Sequence, residues 1–114
     1  MEERRKFVRI PESSHISYKC IPKEKINDYI TRDVSQGGIR FLVHDFIPKG
    51  SYLKIKLDLC GSSIAIEAMA RLVWMRSVPH RDEYEVGVEF IDMPPHAAMH
   101  LISYIRDFFD RKNG

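Results

Sequence analysis

Cysteine is scarce in this chain, and the two present, Cys20 and Cys60, lie too far apart in sequence to form a CxxC metal or redox pattern. Their neighbours, Tyr18-Lys19-Cys20-Ile21 and Leu57-Asp58-Leu59-Cys60, are largely apolar, so both are expected as reduced, at least partly buried thiols. Long apolar runs are missing too. None approaches the roughly 20 residues that a helix needs to cross a bilayer, and the first residues are charged rather than signal-like, so no integral membrane segment and a cytoplasmic location are expected. Neither sign of charge dominates: 18 Lys and Arg face 16 Asp and Glu, a net charge of +2. That balance does not provide the broad field of a general DNA binder, so any anion must be recognised by local placement. Catalytic patterns are equally thin. There is no serine elbow, cysteine–histidine spacing or paired-carboxylate pattern, and the chain is not expected to be an enzyme. His96 and His100 have helical spacing but no HExxH context or third ligand, and read as an exposed pair rather than a metal site; no cofactor is expected.

What is present is period-two alternation, repeated, followed by one helical stretch. A chain of 114 residues, 44% hydrophobic, fits one domain. Ile16, Tyr18 and Cys20 alternate with Ser17 and Lys19, and a second strand is expected over residues 26–31. Residues 33–38 then read as a connecting loop and residues 39–43 as a strand. In residues 51–59, Leu53, Ile55, Leu57 and Leu59 take one side while Lys54, Lys56 and Asp58 take the other, as a sheet with one wet face requires. A turn at residues 60–63 leads into a long segment, 64–75, with Ile64, Ile66, Ala68, Ala70 and Leu72 on one parity. Trp74 continues that parity, which makes it either a core or rim aromatic or a stacking surface for a base. Residues 84–90 form the last strand. After Pro94-Pro95 the period becomes helical, with an apolar stripe through Ala98, Leu101, Ile102, Ile105, Phe108 and Phe109 that is able to pack on its own barrel or face a second chain. The expected architecture is all-β-dominated: a small antiparallel closed barrel of six or seven strands, with an N-terminal arm and a C-terminal α-helix. Residues 1–11 are the arm, 12–93 the barrel and 94–114 the helix of one domain. Closure protects the edges that so many short strands otherwise expose.

Two stretches carry chemistry. Arg5-Lys6-Phe7-Val8-Arg9 offers two guanidinium forks four positions apart, and a fork hydrogen-bonds in parallel to a phosphate or to the O6/N7 edge of a guanine, whereas lysine offers a point charge. Asp33-Val34-Ser35-Gln36-Gly37-Gly38 offers a carboxylate able to accept donors from guanine's other edge. It also offers a hydroxyl, and two glycines that let backbone N–H groups approach a planar or anionic ligand. Taken singly, each stretch has an ordinary explanation: a solvated basic terminus for the arginines and an Asx-type turn for Asp33 and Ser35.

Taken together, Arg5-x-x-x-Arg9 and Asp33-x-Ser35-x-x-Gly38, followed at once by Ile39 and Phe41 of a strand, resemble the paired signature of the PilZ domain family, which binds bacterial cyclic di-GMP. The resemblance extends from about Arg4 to Phe90 and includes Leu72-Val73-Trp74 and Val86-Gly87-Val88-Glu89-Phe90. It implies that Arg5 and Arg9 contact guanine bases and phosphates, that Asp33 supports guanine recognition, and that Ser35 and Gly38 shape the ligand surface. It also implies secondary roles for Arg4, which precedes the motif and bears on whether one nucleotide or a stacked pair is held, and for Trp74. Gly37, Arg71 and Arg76 are further candidates by position. The function expected is a cyclic di-GMP receptor or adaptor, with its output passed to a separate effector protein of motility, polysaccharide or surface-attachment systems. Two alternatives remain at this stage: a protein-interaction barrel that has no use for nucleotide, and a barrel for single-stranded nucleic acid.

Overall fold

The computed structural model describes residues 8–113 of the chain. Six strands close into an antiparallel barrel: β2 (His15–Cys20), β3 (Asn27–Ser35), β4 (Gly38–Val43), β5 (Tyr52–Asp58), β6 (Ile66–Ser77) and β7 (Tyr84–Asp92). Around the barrel the order is β3, β2, β5, β6, β7, β4, with β4 pairing back onto β3. A short strand, β1 (Arg9–Pro11), is added to the edge of β3 beyond the stretch that β2 covers, and α1 (Pro95–Asn113) follows the last strand.

The alternation read from the sequence sets which side chains fill the interior. Leu53, Ile55 and Leu57 of β5 and Ile66, Ala68, Ala70 and Leu72 of β6 point inward, beside Ile16, Tyr18, Val34, Ile39, Phe41, Val86 and Val88. Tyr18 is fully surrounded, and burial pushes its hydroxyl well above the usual tyrosine range. Ile10 of β1 is as buried as any barrel residue, so the strand that carries Arg9 is fastened by an apolar plug. Pro95 opens α1, whose buried face runs through Ala97 and Leu101 to the partly buried Tyr104 and Ile105. The stripe thus begins one position earlier than the helical pattern suggests. Phe108 meets Phe109 edge to face, and Phe109 stays exposed.

Other departures have definite causes. Asp33 and Ser35 are strand residues rather than loop residues, because β3 continues through Ser35 with β1 on one edge and β4 on the other; only Gln36 and Gly37 make the turn. Of the expected arm, Arg9–Pro11 is paired as β1, while residues 1–7 lie outside the described residues. Ile64 precedes β6 and is exposed. Cys20 is half-buried and burial raises its thiol pKa, but Cys60 is exposed in the β5–β6 turn, contrary to the expectation of a buried thiol there.

Candidate functional site

Arg9, the described end of the first candidate motif, meets the second motif on the outer wall of the barrel, where side chains alternate away from the core. Register places them in three neighbouring rows. Gly38 of β4, Glu89 of β7 and Arg71 of β6 stand side by side in the first; Asp33 of β3, Arg40 of β4, Gly87 of β7 and Trp74 of β6 form the second; Leu42, Glu85 and Arg76 form the third. β1 borders this wall, with Arg9 opposite Ser35 and Pro11 opposite Asp33.

Asp33 is at the centre and is 6% exposed. Arg9 donates from Nη1 to its Oδ1 at 2.9 Å, so residues 24 apart in sequence are joined across β1 and β3. Arg40 takes the other carboxylate oxygen, leaving both oxygens of Asp33 engaged by guanidiniums. Arg40 also approaches Glu85, whose Oε2 lies 3.6 Å from its Nε. A buried carboxylate held by two charge-assisted contacts is a fixed acceptor, and with one arginine on each oxygen it keeps lone pairs for a further donor.

Ser35 acts on the backbone. Its Oγ accepts from the N–H groups of Gly37 and Gly38, both at 3.1 Å, and closes the turn. Gly37 in turn accepts from the Phe90 N–H at 2.9 Å, which fastens the turn to β7. Gly38 is required by close approach: a Cβ built there would lie 2.1 Å from the carbonyl oxygen of Val88.

Trp74 is neither in the core nor free of it. A register shift between Leu72 and Trp74 inserts one extra residue, so Leu72 stays inside while Trp74 turns outward and Met75 takes up the inner contact. The indole packs directly against Gly87, where an added Cβ would sit 2.3 Å from Nε1. Gly87 is therefore the gap that lets the tryptophan join the Asp33–Arg40 row, and the Arg76 guanidinium sits 5.8 Å from its ring centroid. Arg71 donates to Glu89 at 2.7 Å, and that hydrogen bond raises its pKa further.

Thus Arg9, Asp33, Ser35, Gly37, Gly38, Arg71, Trp74 and Arg76 share one surface, while Arg4 and Arg5 fall outside the described residues. Sequence reasoning missed Arg32, Arg40, Glu85 and Gly87. In the sequence Arg40, Glu85 and Gly87 are ordinary outward residues of alternating strands that only register brings beside Asp33 and Trp74, and Arg32 falls at an irregularity of β3 that parity does not reveal. Glu12, just past β1, was also missed. Its carboxylate accepts from the Tyr104 hydroxyl of α1 at 2.9 Å and from Ser14, so the base of the arm is tied to the C-terminal helix. The wall is open rather than cavernous. Among the described residues no group of His, Cys, Asp and Glu is placed to hold a metal, and no helix is long and apolar enough to cross a membrane.

A family model described as the PilZ domain matches residues 3–107. No curated protein matches the chain. Among solved structures, the Bacillus subtilis inhibitor of motility (MotI/DgrA) superposes with a TM-score of 0.82 at 19% identity, covering 96% of this chain and 53% of that one. YcgR from Escherichia coli in complex with c-di-GMP gives 0.80 at 16% identity over 97% and 48%. The PilZ domain of YcgR with c-di-GMP gives 0.70 at 15% identity over 97% and 98%. At such identities the likeness is one of fold. The chain spans about half the length of the first two of these proteins.

Proposed function

Since this chain belongs to the PilZ domain family, we propose that it is a non-catalytic cyclic di-GMP receptor whose binding wall is the surface around Asp33. The observation that carries this reading is the direct contact of the two halves of the motif, Arg9 on Asp33 at 2.9 Å, on a wall that also presents Trp74. In the free state the arginines occupy the carboxylate. On binding, Asp33 accepts donors from a guanine edge while the Arg9 fork, with Arg5 from the preceding residues, turns to phosphate or to O6/N7. Ser35 and Gly38 hold the turn that positions Asp33, and the Trp74 ring offers a face for stacking. Arg4 bears on whether a second nucleotide stacks on the first.

The output is a population shift, against the barrel, of the part of the N-terminal arm that precedes β1. Because Glu12 continues β1 and is held by Tyr104, ordering of the arm acts on the position of α1, where the exposed Met99 and Phe109 are available to a separate effector protein. Control of motility, polysaccharide production or surface attachment in the cytoplasm is the setting we propose; a structural relative named as an inhibitor of motility supports it.

Isothermal calorimetry with cyclic di-GMP, using GMP and cyclic di-AMP as controls, tests the reading. Saturable binding of cyclic di-GMP alone, weakened by Arg5→Ala and by Arg9→Ala in folded variants, is the expected result. No binding by folded protein would transfer the chain to the nucleotide-independent interaction barrels.

A further inference from the structure

Beyond the motif, the same wall continues into a groove of about 370 Å³ lined by Arg32, Leu42, Arg76, Ser77, Val78, Pro79 and Glu85. Glu85 is its anchor and is 5% exposed. Arg76 grips one oxygen of Glu85 with Nε at 2.8 Å, and Arg32 Nε and Arg40 Nε stand 3.4 and 3.6 Å from the other. The network continues through Arg40 to Asp33 and Arg9. Four guanidiniums, of Arg9, Arg32, Arg40 and Arg76, therefore share two carboxylates. Two positive charges are left uncompensated among the described residues.

The side chains of Arg32 and Arg76 are 54% and 69% exposed; Glu85 holds Arg76 by hydrogen bonds and Arg32 by an ion pair at 3.4 Å, and both guanidiniums line the groove. Each guanidinium carries five N–H donors in a rigid fork, and two forks gathered at one carboxylate, that of Arg76 hydrogen-bonded to it, suit an anion with several acceptor oxygens. Leu42 and Pro79 supply an apolar wall against which the rest of such a ligand can lie. A lone anchored arginine would be ordinary surface chemistry. Here the concavity, the shared buried carboxylate and the excess of charge coincide.

We propose that the Arg32–Arg76 groove is an accessory subsite for a phosphate group, separate from the Asp33 motif and continuous with it through Arg40. Insofar as the phosphate belongs to cyclic di-GMP, the subsite rests on the receptor reading above. Its source is then either the far phosphodiester of the nucleotide held at Asp33 or a second nucleotide molecule.

Wild-type protein and an Arg32→Ala/Arg76→Ala variant are titrated by calorimetry with cyclic di-GMP and, separately, with inorganic pyrophosphate at low salt. Arg76→Lys is titrated in parallel, since it keeps the charge and loses the fork; thermal unfolding verifies that each variant is folded. The expected result is at least a tenfold loss of cyclic di-GMP affinity and loss of saturable pyrophosphate binding in the double variant, with Arg76→Lys intermediate. A stoichiometry falling from two nucleotides per chain to one assigns the phosphate to a second molecule; a constant stoichiometry with weaker binding assigns it to the first. Equal affinity and stoichiometry for both probes in wild type and double variant would overturn the subsite. If wild type binds no cyclic di-GMP, the receptor reading alone fails. The subsite is then supported by pyrophosphate binding that the double variant loses, and overturned if the two proteins do not differ.

Discussion

Gly38→Ala tests how tightly the candidate site depends on the packing of two strands. The new methyl would be placed 2.1 Å from the Val88 oxygen, 3.2 Å from its carbonyl carbon and 3.3 Å from the Glu89 Cα. A carbon normally stands roughly 3.3 Å or more from a carbonyl oxygen, so β4 must withdraw from β7 by about 1 Å. All three clashing atoms are backbone, and no rotamer change relieves them. Withdrawal also strains the Gly37–Phe90 hydrogen bond at 2.9 Å and the two contacts that Ser35 makes with the turn at 3.1 Å. Overpacking costs about 1–3 kcal/mol and the partial weakening of the three hydrogen bonds together about 1–2, for a total of about 2–5 kcal/mol. For a domain of this size that lowers the unfolding midpoint by about 8–20 °C, leaving the protein folded in the cold. Circular dichroism measures the midpoint, and calorimetry well below it measures nucleotide binding, which is expected to vanish because Asp33 and Ser35 move with the turn. A midpoint within 2 °C of wild type would refute the clash. A normal midpoint with binding lost would assign Gly38 to ligand approach instead of strand packing.

Three further substitutions test other parts of the wall. Gly87→Ala drives a methyl into the Trp74 ring and expels the indole, so the emission of the sole tryptophan is expected to shift to the red with about 1–3 kcal/mol of destabilisation; unchanged emission and near-ultraviolet dichroism would contradict the packing. Arg40→Ala removes one of the two guanidiniums that hold Asp33 and is expected to weaken cyclic di-GMP binding by about 10–100-fold, the equivalent of one charge-assisted hydrogen bond; wild-type affinity would remove Arg40 from the positioning of Asp33. Tyr104→Phe unties Glu12 from α1 and is expected to diminish nucleotide-induced protection of α1 in amide exchange, while equal protection in the two proteins would show that the tie transmits nothing. Burial first, then the hydrogen bond to Glu12, raises the Tyr104 pKa to about 12. A folded pKa above the unfolded value of about 10 gives stability that is present below pH 10 and lost as pH rises through the folded pKa. Urea unfolding at pH 9, 10 and 11 is therefore expected to show a shallower decline in Tyr104→Phe than in wild type.

Much of this protein is legible in local chemistry. Alternation along Leu53, Ile55 and Leu57, or along Ile66, Ala68, Ala70 and Leu72, depends only on the pleat of a strand, so sequence alone determined the inward set, the antiparallel barrel with its terminal helix, and the motif residues Arg9, Asp33, Ser35 and Gly38. Parity counting fails where the pleat is interrupted. The extra residue between Leu72 and Trp74 reversed the side on which the tryptophan stands, and pairing with both β1 and β4 turned Asp33 and Ser35 from expected loop into strand. Cross-strand register is set by the closure of the whole barrel and by no single segment. For that reason only the tertiary structure decided that Arg40 sits beside Asp33, that Gly87 makes room for Trp74, that Glu85 collects Arg32 and Arg76, and that Glu12 reaches Tyr104: each of these contacts joins residues far apart in the chain or on different strands, and the pattern along one strand carries no information about its neighbour.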